Sequence, residues 1–297
     1  MAGRARAVLL ALGITLGVFL LFFAAVLALL AYLEGRDVLP FGGERVAVVE
    51  VDGVILDAEE VVRQLKEHQE NSAVKAVVIR INSPGGVVAP TQEIYDAINR
   101  LRAEGKPVVA SLGSVAASGG YYIASAADWI VASPGTLTGS IGVIMQLTNL
   151  EGLLKKVGLR YEVVKSGKYK DIGSFSRPMT GEERAILQAL MDDVYHQFVD
   201  AVAEGRQLDP KVVLSLADGR IFSGRQAMEL NLVDDLGGRE EAIEAAANLA
   251  GISGKPKLLF PRRRFSIWDW LQERLGGRSF VFSPSLFPFK TPLYLMD

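Results

Sequence analysis

The longest apolar run of the chain lies near its N-terminus, where residues 7–33 include no charged side chain. As a helix rising about 1.5 Å per residue this run extends roughly 40 Å, whereas the hydrocarbon core of a bilayer is about 30 Å thick. A cleaved secretory signal usually has an apolar region of only about 7–15 residues. Residues 28–31 (ALLA) offer a weak cleavage site, but the length of the run favours a retained transmembrane helix.

The charges that flank this run predict its direction in the membrane. Arg4 and Arg6 precede the run without a neighbouring acid, and the charges of residues 34–37 nearly cancel after it. Cytoplasmic flanks of membrane helices are enriched in Lys and Arg. We therefore expect a single-pass protein of the cell membrane. Residues 1–33 are expected to form the cytoplasmic start and the transmembrane anchor, and the rest of the chain is expected to lie outside the cytoplasm.

Beyond a glycine-containing tether at residues 34–45, apolar runs of strand length alternate with amphipathic segments. Continuous apolar strands, such as residues 74–81, are typical of a parallel sheet that is covered on both faces. The alternation predicts an α/β domain with a largely parallel sheet over residues 46–250. The predicted strands are 46–51, 74–81, 108–112, 129–132, 143–145 and 161–164, and the predicted helices are 57–70, 88–103, 149–157, 180–205, 210–217, 224–230 and 239–249.

The tail, residues 251–297, differs in composition from the domain. It carries three consecutive arginines at 262–264, followed by many aromatic and proline residues. Its apolar content favours docking over free solvation. We expect the tail to pack on the domain or on a neighbouring subunit. We also hypothesise that its end, residues 292–297, lies near the active-site groove as a subunit contact or a substrate mimic.

The overall composition narrows the possible chemistry. The 297 residues carry a formal net charge of −2 and include no cysteine, so nucleic acid is not an expected partner, and thiol chemistry is excluded. The two histidines, His68 and His196, follow neither a strand end nor a glycine-rich turn, and His68 lies at a solvated helix end. They predict neither a Ser–His–Asp triad nor a histidine metal site. The sequence also contains no phosphate-loop motif.

Two glycine-rich segments follow buried predicted strands and are the best candidates for a site. Residues 83–86 (SPGG) follow the strand at 74–81, and residues 114–120 (SVAASGG) follow the strand at 108–112. In an open α/β sheet, ligands bind at the carboxyl ends of the strands. Backbone N–H groups of two such loops can converge on one point, which is the geometry of an oxyanion hole.

Ser118 is the candidate nucleophile. It lies at the expected start of a helix among alanine and glycine neighbours, which allow the tight strand-to-helix turn that exposes a nucleophilic hydroxyl. Taken alone, the same small residues are as consistent with close packing of a helix on the sheet. Because neither histidine is placed to act as the base, the base is expected to be a carboxylate or a lysine.

A lysine base has to be neutral, and an exposed lysine with a pKa near about 10.4 is almost entirely protonated at pH 7. Burial in an apolar cleft can lower a lysine pKa to about 7. Lys165, Lys168 and Lys170 cluster in residues 165–174 (KSGKYKDIGS). The residues alone do not choose among these three lysines.

Four motifs in this order resemble signal peptide peptidase A in its single-repeat form, a serine protease family of the Clp protease and crotonase-like superfamily. The resemblance covers residues 46–250 and the N-terminal anchor. It implies a crotonase-like (Clp protease-like) α/β fold with an N-terminal transmembrane helix. The motifs are residues 82–86 (NSPGG), 114–123 (SVAASGGYYI), 138–142 (TGSIG) and 166–174 (SGKYKDIGS).

The resemblance also implies a role for each site residue. Ser118 is the implied nucleophile, Lys170 is the general base of a Ser–Lys dyad, and Ser140 holds the lysine amine in place. The family needs neither a metal nor a cofactor. The implied oxyanion donors are the backbone N–H group of Gly119 and that of Gly85 or of its neighbour Gly86.

The activity implied by the resemblance is cleavage of remnant signal peptides and other apolar peptides at the membrane. The implied assembly is a homo-oligomeric ring, an octamer in the single-repeat form, in which adjacent subunits build the substrate groove. Two alternatives remain. An acyl-CoA enzyme of the same superfamily would share only the oxyanion loops, and a catalytically silent membrane scaffold with a protease-like fold would form no adduct with a serine-reactive probe.

Overall fold

The structure of the chain is a computed structural model that describes residues 13–27, 44–260 and 293–295. The chain forms two compact units, Met1–Gly43 and Glu44–Asp297. The sheet, the helices around it and every candidate site residue belong to the second unit.

In the first unit, residues 13–27 form a helix that exposes large apolar side chains, among them Phe19, Leu21 and Phe22. No helix in the described parts of the chain has both the length and the apolar character needed to cross a bilayer. The predicted span of residues 7–33 continues on both sides of this helix into residues outside the described ranges.

The second unit is built on an eight-stranded sheet and a separate two-stranded ladder. The strands are β1 (Arg45–Asp52), β2 (Val74–Ser83), β3 (Gly85–Val87), β4 (Val108–Ala117), β5 (Trp129–Ala132), β6 (Leu137–Gly139), β7 (Ile221–Ser223), β8 (Asp235–Leu236), β9 (Lys257–Leu259) and β10 (Leu293–Leu295). In the sheet the order is β7-β6-β4-β2-β1-β9, and β5 pairs with both β4 and β8. The pairs are parallel except for the antiparallel β6–β7 pair. The separate ladder joins β3 and β10 in the antiparallel sense.

Helices follow most of these strands along the chain. The helices are α1 (Glu59–Glu70), α2 (Val88–Ala103), α3 (Gly119–Ser125), α4 (Glu151–Lys156), α5 (Gly181–Arg206), α6 (Pro210–Leu216), α7 (Gly224–Glu229) and α8 (Arg239–Leu249). The longest of them, α5, begins with a capping box in which Thr180 and Glu183 exchange hydrogen bonds between side chain and backbone. This helix start agrees with the predicted one.

The central strands are covered on both faces. Ala47 and Val49 of β1 point into the larger core cluster, whereas Val46 and Val48 pack on the other face against α8. Because side chains alternate along a strand, each buried strand contributes to both clusters, and its sequence is continuously apolar. The predicted α/β domain with a largely parallel sheet is confirmed.

Two of the predicted strands are wrong. Residues 143–145 and 161–164 are assigned to none of the strands. Val163 and Val164 are exposed, at 43% and 103%, and no strand in the described part of the chain pairs with them. In contrast, β6 and β7 are only three residues long and arise in turn-rich sequence. Pairing between distant segments, rather than local periodicity, creates them.

Helix α5 approaches α3 most closely at Gly205. A Cβ atom at this position would lie 1.9 Å from the Ser125 carbonyl oxygen at the end of α3. A backbone oxygen cannot move aside as the end of a flexible side chain can, so this contact requires glycine. The contact helps to fix α3, whose first residue directly follows Ser118.

We expect Gly205→Ala to destabilise the protein by about 1–3 kcal/mol, because the added methyl group forces α3 and α5 apart. Gly181→Ala is the control, since it lies at the start of the same helix and a Cβ there meets nothing within 4 Å. Urea unfolding of the full-length chain in detergent measures both variants. Equal stabilities would show that this contact does not hold α3 in place.

Candidate active site

Ser118 forms the turn between the end of β4 and the start of α3. Its backbone has a φ of 52° and a ψ of −119°, which costs a non-glycine residue about 1–3 kcal/mol. The Ser118 N–H donates to the Gly139 carbonyl at 2.8 Å, and the Ser118 carbonyl accepts from the Tyr122 N–H at 2.8 Å. A strained strand-to-helix turn of this kind is the backbone geometry of a nucleophile elbow.

The hydroxyl group of Ser118 is buried without a hydrogen-bond partner. The residue is 0% exposed, and within the described part of the chain its Oγ has no donor or acceptor in hydrogen-bond range. Leaving a buried hydroxyl unsatisfied costs about 1–3 kcal/mol, and most buried polar atoms of folded proteins avoid this cost. The combination of a strained backbone and an unsatisfied hydroxyl favours a chemical role for Ser118 over a packing role.

Ser140 directly follows the neighbouring strand β6 and, like Ser118, has a positive φ. Strand β6 pairs with β4 so that Gly139 lies opposite Ala117, and Ser140 follows with a φ of 51°. The Ser140 N–H donates to the Arg220 carbonyl at 2.8 Å, and the residue is 7% exposed. The pairing therefore places Ser118 and Ser140 at the ends of adjacent strands.

The hydrogen bonds of β3 determine which way its N–H groups face. The Ile55 N–H donates to the Gly85 carbonyl at 2.9 Å, and the Val87 N–H donates to the Ile55 carbonyl at 2.8 Å. The Gly85 N–H donates to Ser83 Oγ at 3.1 Å. Because successive peptide groups of a strand face opposite edges, the N–H and carbonyl groups of Gly86 face away from Ile55. Of the two glycines that the sequence offers here, Gly86 is the one with its N–H on the other edge of β3.

The sequence analysis did not identify Ile55 as part of the site. In the sequence, Ile55 is simply an apolar residue shortly after Gly53, and nothing there distinguishes it from other core residues. The structure shows an isolated parallel bridge between Ile55 and Gly86. This contact sets the orientation of β3, and no local pattern predicts it.

Strand β10 occupies the other edge of β3. Leu293–Leu295 pairs antiparallel with Gly85–Val87, and Tyr294 lies opposite Gly86. The backbone of β10 also contacts α3. The edge of β3 beside the Ser118 turn therefore accepts an extended peptide segment by strand addition. The remainder of the tail, residues 261–292 and 296–297, lies outside the described ranges.

Close packing brings the two glycine-rich segments together. Ser83 pairs with Ala116 across β2 and β4, and a Cβ at Gly120 would lie 2.8 Å from the Ser83 carbonyl oxygen. Gly119 is the first residue of α3, so its N–H has no acceptor within the helix. The Ser118 turn and the segment that leads into β3 are thus neighbours.

Within the parts of the single chain that the structure describes, Lys170 forms no hydrogen bond with Ser118, Ser140 or the glycine-rich segments. It is exposed in a run of turns, where its N–H donates to the Gly167 carbonyl at 3.2 Å. No hydrogen bond joins its amine to Ser118, because Ser118 Oγ has no partner among the described residues. The chain therefore assembles the serines and the glycine N–H groups by itself, and it does not bring the predicted base to them.

The other two lysines of the cluster are engaged in ion pairs. Lys165 Nζ contacts the Asp171 carboxylate and donates to the Lys168 carbonyl at 3.0 Å. Lys168 Nζ contacts the Glu182 carboxylate, and the hydrogen bond to Glu182 raises the pKa of Lys168. A lysine that acts as a general base has to be neutral, and an ion pair with a carboxylate favours its charged form. The ion pairs of Lys165 and Lys168 therefore favour Lys170 as the base.

The two histidines lie on helices and do not approach the serines by hydrogen bonds. His68 is buried at the end of α1, at 8% exposure, so the prediction of a solvated helix end is wrong. Burial lowers the pKa of its imidazole. His196 is exposed on α5, and its Nδ1 lies 2.6 Å from the Asp192 carbonyl oxygen. Among the described residues, no group of three or more His, Asp and Glu side chains is placed to hold a metal ion.

Comparison with known proteins identifies relatives of the chain. The sequence profile of Peptidase family S49 matches residues 100–253, and the Clp protease profile matches residues 48–133. A putative protease of Synechocystis sp. is 51% identical over 211 residues, which cover 70% of this chain and 76% of that protein. A putative protease of Methanocaldococcus jannaschii is 38% identical over 244 residues, with coverages of 77% and 78%. A putative signal peptide peptidase SppA of Enterococcus faecium is 38% identical over 215 residues, with coverages of 68% and 62%.

We expect Gly86→Ala to displace β3 from the Ser118 turn, because a Cβ at this position would lie 2.0 Å from the Ile55 carbonyl oxygen. Labelling of Ser118 by a fluorophosphonate should slow about 100-fold, the usual effect of losing one oxyanion donor. Gly135→Ala is the control, since Gly135 lies in an exposed turn and a Cβ there meets nothing within 4 Å. Equal labelling rates in the two variants would exclude β3 from the site.

Proposed function

Because this chain belongs to peptidase family S49 and is a protease related to signal peptide peptidases, we propose that it is a membrane-anchored serine endopeptidase that degrades remnant signal peptides. The proposal depends above all on one observation, the buried and unpartnered hydroxyl of Ser118 at a strained strand-to-helix turn. Serine proteases need a hydroxyl that is held in place and left free to react.

In the proposed reaction, the neutral amine of Lys170 accepts the Ser118 proton as Oγ attacks the carbonyl carbon of a peptide. The N–H groups of Gly86 and Gly119 stabilise the negative charge that forms on the carbonyl oxygen. The protonated lysine gives its proton to the leaving amine, the peptide bond breaks, and an acyl-enzyme ester remains. Water then hydrolyses the ester with the same lysine as base, and the Ser118 hydroxyl is restored. Ser140 holds the amine of Lys170 in position.

The proposed dyad requires Lys170 to meet Ser118, and we infer that subunit association brings them together. The lysine segment, residues 143–180, exposes many large apolar side chains in the single chain, a feature typical of interaction surfaces. A neighbouring subunit that covers this segment would create the dry surroundings that favour a neutral amine. This supports a homo-oligomeric ring, an octamer by the resemblance, in which adjacent subunits complete each site. The exposed apolar residues are Leu150, Leu153, Val157, Leu159, Tyr161, Val163, Val164 and Phe175.

The substrate is proposed to bind as an extended strand on the edge of β3. In the structure β10 occupies this edge by antiparallel pairing, so the main-chain hydrogen bonds that an extended peptide needs are available there. Ala116 and Ala117, which precede the Ser118 turn, are small and apolar, and this composition favours small or apolar substrate side chains. Remnant signal peptides and other apolar peptides have this composition.

Membrane attachment is proposed from the N-terminal sequence and its helix. Residues 13–27 form a helix with exposed phenylalanine, leucine, isoleucine and valine side chains. Such a surface is unfavourable in water and favourable in hydrocarbon. We propose that the uncharged run at residues 7–33 anchors the chain in the cell membrane, with its N-terminus in the cytoplasm and the catalytic domain outside.

The two alternatives make different predictions. An acyl-CoA enzyme would use the oxyanion loops without Ser118 as a nucleophile, whereas this chain belongs to a peptidase family. A silent scaffold has no need of a strained serine with an unsatisfied hydroxyl. Mass mapping of a fluorophosphonate adduct on the intact protein separates both alternatives from the protease, since only the protease forms an adduct at Ser118.

We expect Ser118→Ala and Lys170→Ala each to reduce turnover of an apolar peptide by about 10⁴-fold, the scale on which single members of such catalytic groups act. Lys168→Ala is the matched control from the same cluster and should stay close to wild type. Thermal unfolding and the size of the assembly should be unchanged in all three. Near-full turnover in either of the first two variants would contradict the dyad.

Mixed assemblies test whether the dyad forms between subunits. Co-expressed Ser118→Ala and Lys170→Ala chains should regain turnover that neither variant has alone, because some neighbours then combine an intact serine with an intact lysine. A dyad within one chain predicts no recovery. The absence of recovery would overturn the assembly part of the proposal and leave the dyad itself standing.

We also expect removal of the tail to open the edge of β3. Truncation after Phe260 deletes β10 but keeps β9, which pairs with β1 in the sheet. Labelling of Ser118 by a lipopeptide aldehyde, which needs the β3 edge, should become faster. Labelling by a small fluorophosphonate is the control, since this reagent needs no strand pairing. If the truncation changed neither labelling nor assembly, the tail would have no role at the groove.

A further inference from the structure

The turns that carry Lys170 have little backbone structure to hold them. Three hydrogen bonds stabilise single turns here: Lys170 N–H to the Gly167 carbonyl, Ile172 N–H to the Tyr169 carbonyl and Ser174 N–H to the Asp171 carbonyl, at 3.2, 3.0 and 3.0 Å. None of these bonds reaches the sheet or a long helix. The side-chain contacts of this segment therefore contribute to the placement of Lys170.

Asp171, the residue after Lys170, makes two such contacts. Its carboxylate accepts from Arg177 Nε at 3.0 Å and from Lys165 Nζ, and its side chain is 12% exposed. The hydrogen bond from Arg177, followed by that from Lys165, holds the pKa of Asp171 well below its usual range. The carboxylate of Asp171 is therefore charged at neutral pH.

Arg177 continues this chain of ion pairs towards α5. Its Nη1 donates to Glu183 Oε2 at 2.9 Å, its Nη2 contacts Glu183 Oε1, and Nη1 also donates to the Pro178 carbonyl at 3.1 Å. One planar guanidinium group thus bridges Asp171 and Glu183 with both carboxylates in fixed orientation. A lysine in its place could not form this bidentate contact.

Glu183 connects this series of ion pairs to helix α5. Its side chain is 4% exposed, and it accepts the Thr180 N–H at 2.9 Å in the capping box of α5. The contacts with Arg177 and Thr180 lower its pKa to about 2. Further along, α5 buries Val194 and Phe198 in the main core cluster. The ion pairs therefore connect the turn of Lys170 to the core of the domain.

We propose that Arg177 is a positioning residue. It acts through Asp171 and Glu183 to hold the Lys170 amine in the position and orientation that proton transfer from Ser118 requires. This inference rests on the proposed role of Lys170 as the base. It adds three residues, Asp171, Arg177 and Glu183, whose contacts decide whether the base is in place. Misplacement of a reacting group by about 1 Å can cost about 100-fold in rate.

The first measurement is the rate of peptide turnover by the full-length protein. Arg177→Gln should lower kcat about 10–100-fold with little change in KM, and Arg177→Lys should recover only part of the loss. Glu183→Gln should lower kcat to a similar extent, although its amide oxygen can still accept the Thr180 N–H and preserve the helix cap. Arg63→Gln is the control, since Arg63 also bridges two carboxylates, Glu60 and Glu67, on the exposed face of α1.

A double-mutant cycle with Lys170→Ala distinguishes positioning from general stabilisation. If Arg177 acts through Lys170, the rate of fluorophosphonate labelling of Ser118 in Lys170→Ala/Arg177→Gln equals that in Lys170→Ala alone. If the double variant instead labels more slowly by the product of the two single-variant reductions in labelling rate, the positioning role is wrong. It is also wrong if Arg177→Gln alone retains the wild-type kcat. Near-full turnover of Lys170→Ala itself would instead overturn the choice of base and this inference with it.

Discussion

The candidate site depends on one constraint, the backbone of Ser118 held at positive φ between β4 and α3. Strain of this kind persists only where the surrounding structure fixes both ends of the turn. Strand β4 is paired with β2, β5 and β6, and all seven residues of α3 are buried. Because neither element can shift without disrupting the core, the hydroxyl stays in a place that no local interaction favours. The elbow is therefore a property of the whole sheet.

The same packing explains why glycine occurs where backbones approach each other. At Gly86, Gly120 and Gly205 a Cβ atom would lie 1.9–2.8 Å from a carbonyl oxygen of another segment. These three contacts place β3 against Ile55 in the segment after β1, α3 against the end of β2, and α5 against α3. Each contact therefore fixes an element that borders the Ser118 turn or that packs against one. The proposed oxyanion donors and the proposed nucleophile are positioned by backbone contact, which is less adaptable than contact between side chains.

Local sequence patterns predicted the elements that pack on the sheet and failed where pairing is long-range. The helix at 88–103 and the capping box at Thr180 follow from periodicity and end signals that lie within a few residues of each other. The choice between Gly85 and Gly86 depends on Ile55, and the covering of β3 depends on β10, more than 200 residues away in the chain. Residues 161–164 have strand composition but no partner strand among the residues that the structure describes, so composition alone misassigned them.

The two halves of the proposed catalytic group differ in how they are held. The proposed nucleophile and its glycine N–H groups are rigid parts of the core in a single chain, whereas Lys170 lies in exposed turns that side-chain contacts connect to α5. A lysine amine in contact with water is protonated at neutral pH and cannot accept a proton, whereas covering it with apolar surface favours the neutral form that can. Exposed apolar side chains in the same segment provide such a surface for a neighbour. Under this arrangement, proteolytic activity depends on assembly, because the step that covers the lysine segment is also the step that supplies the base.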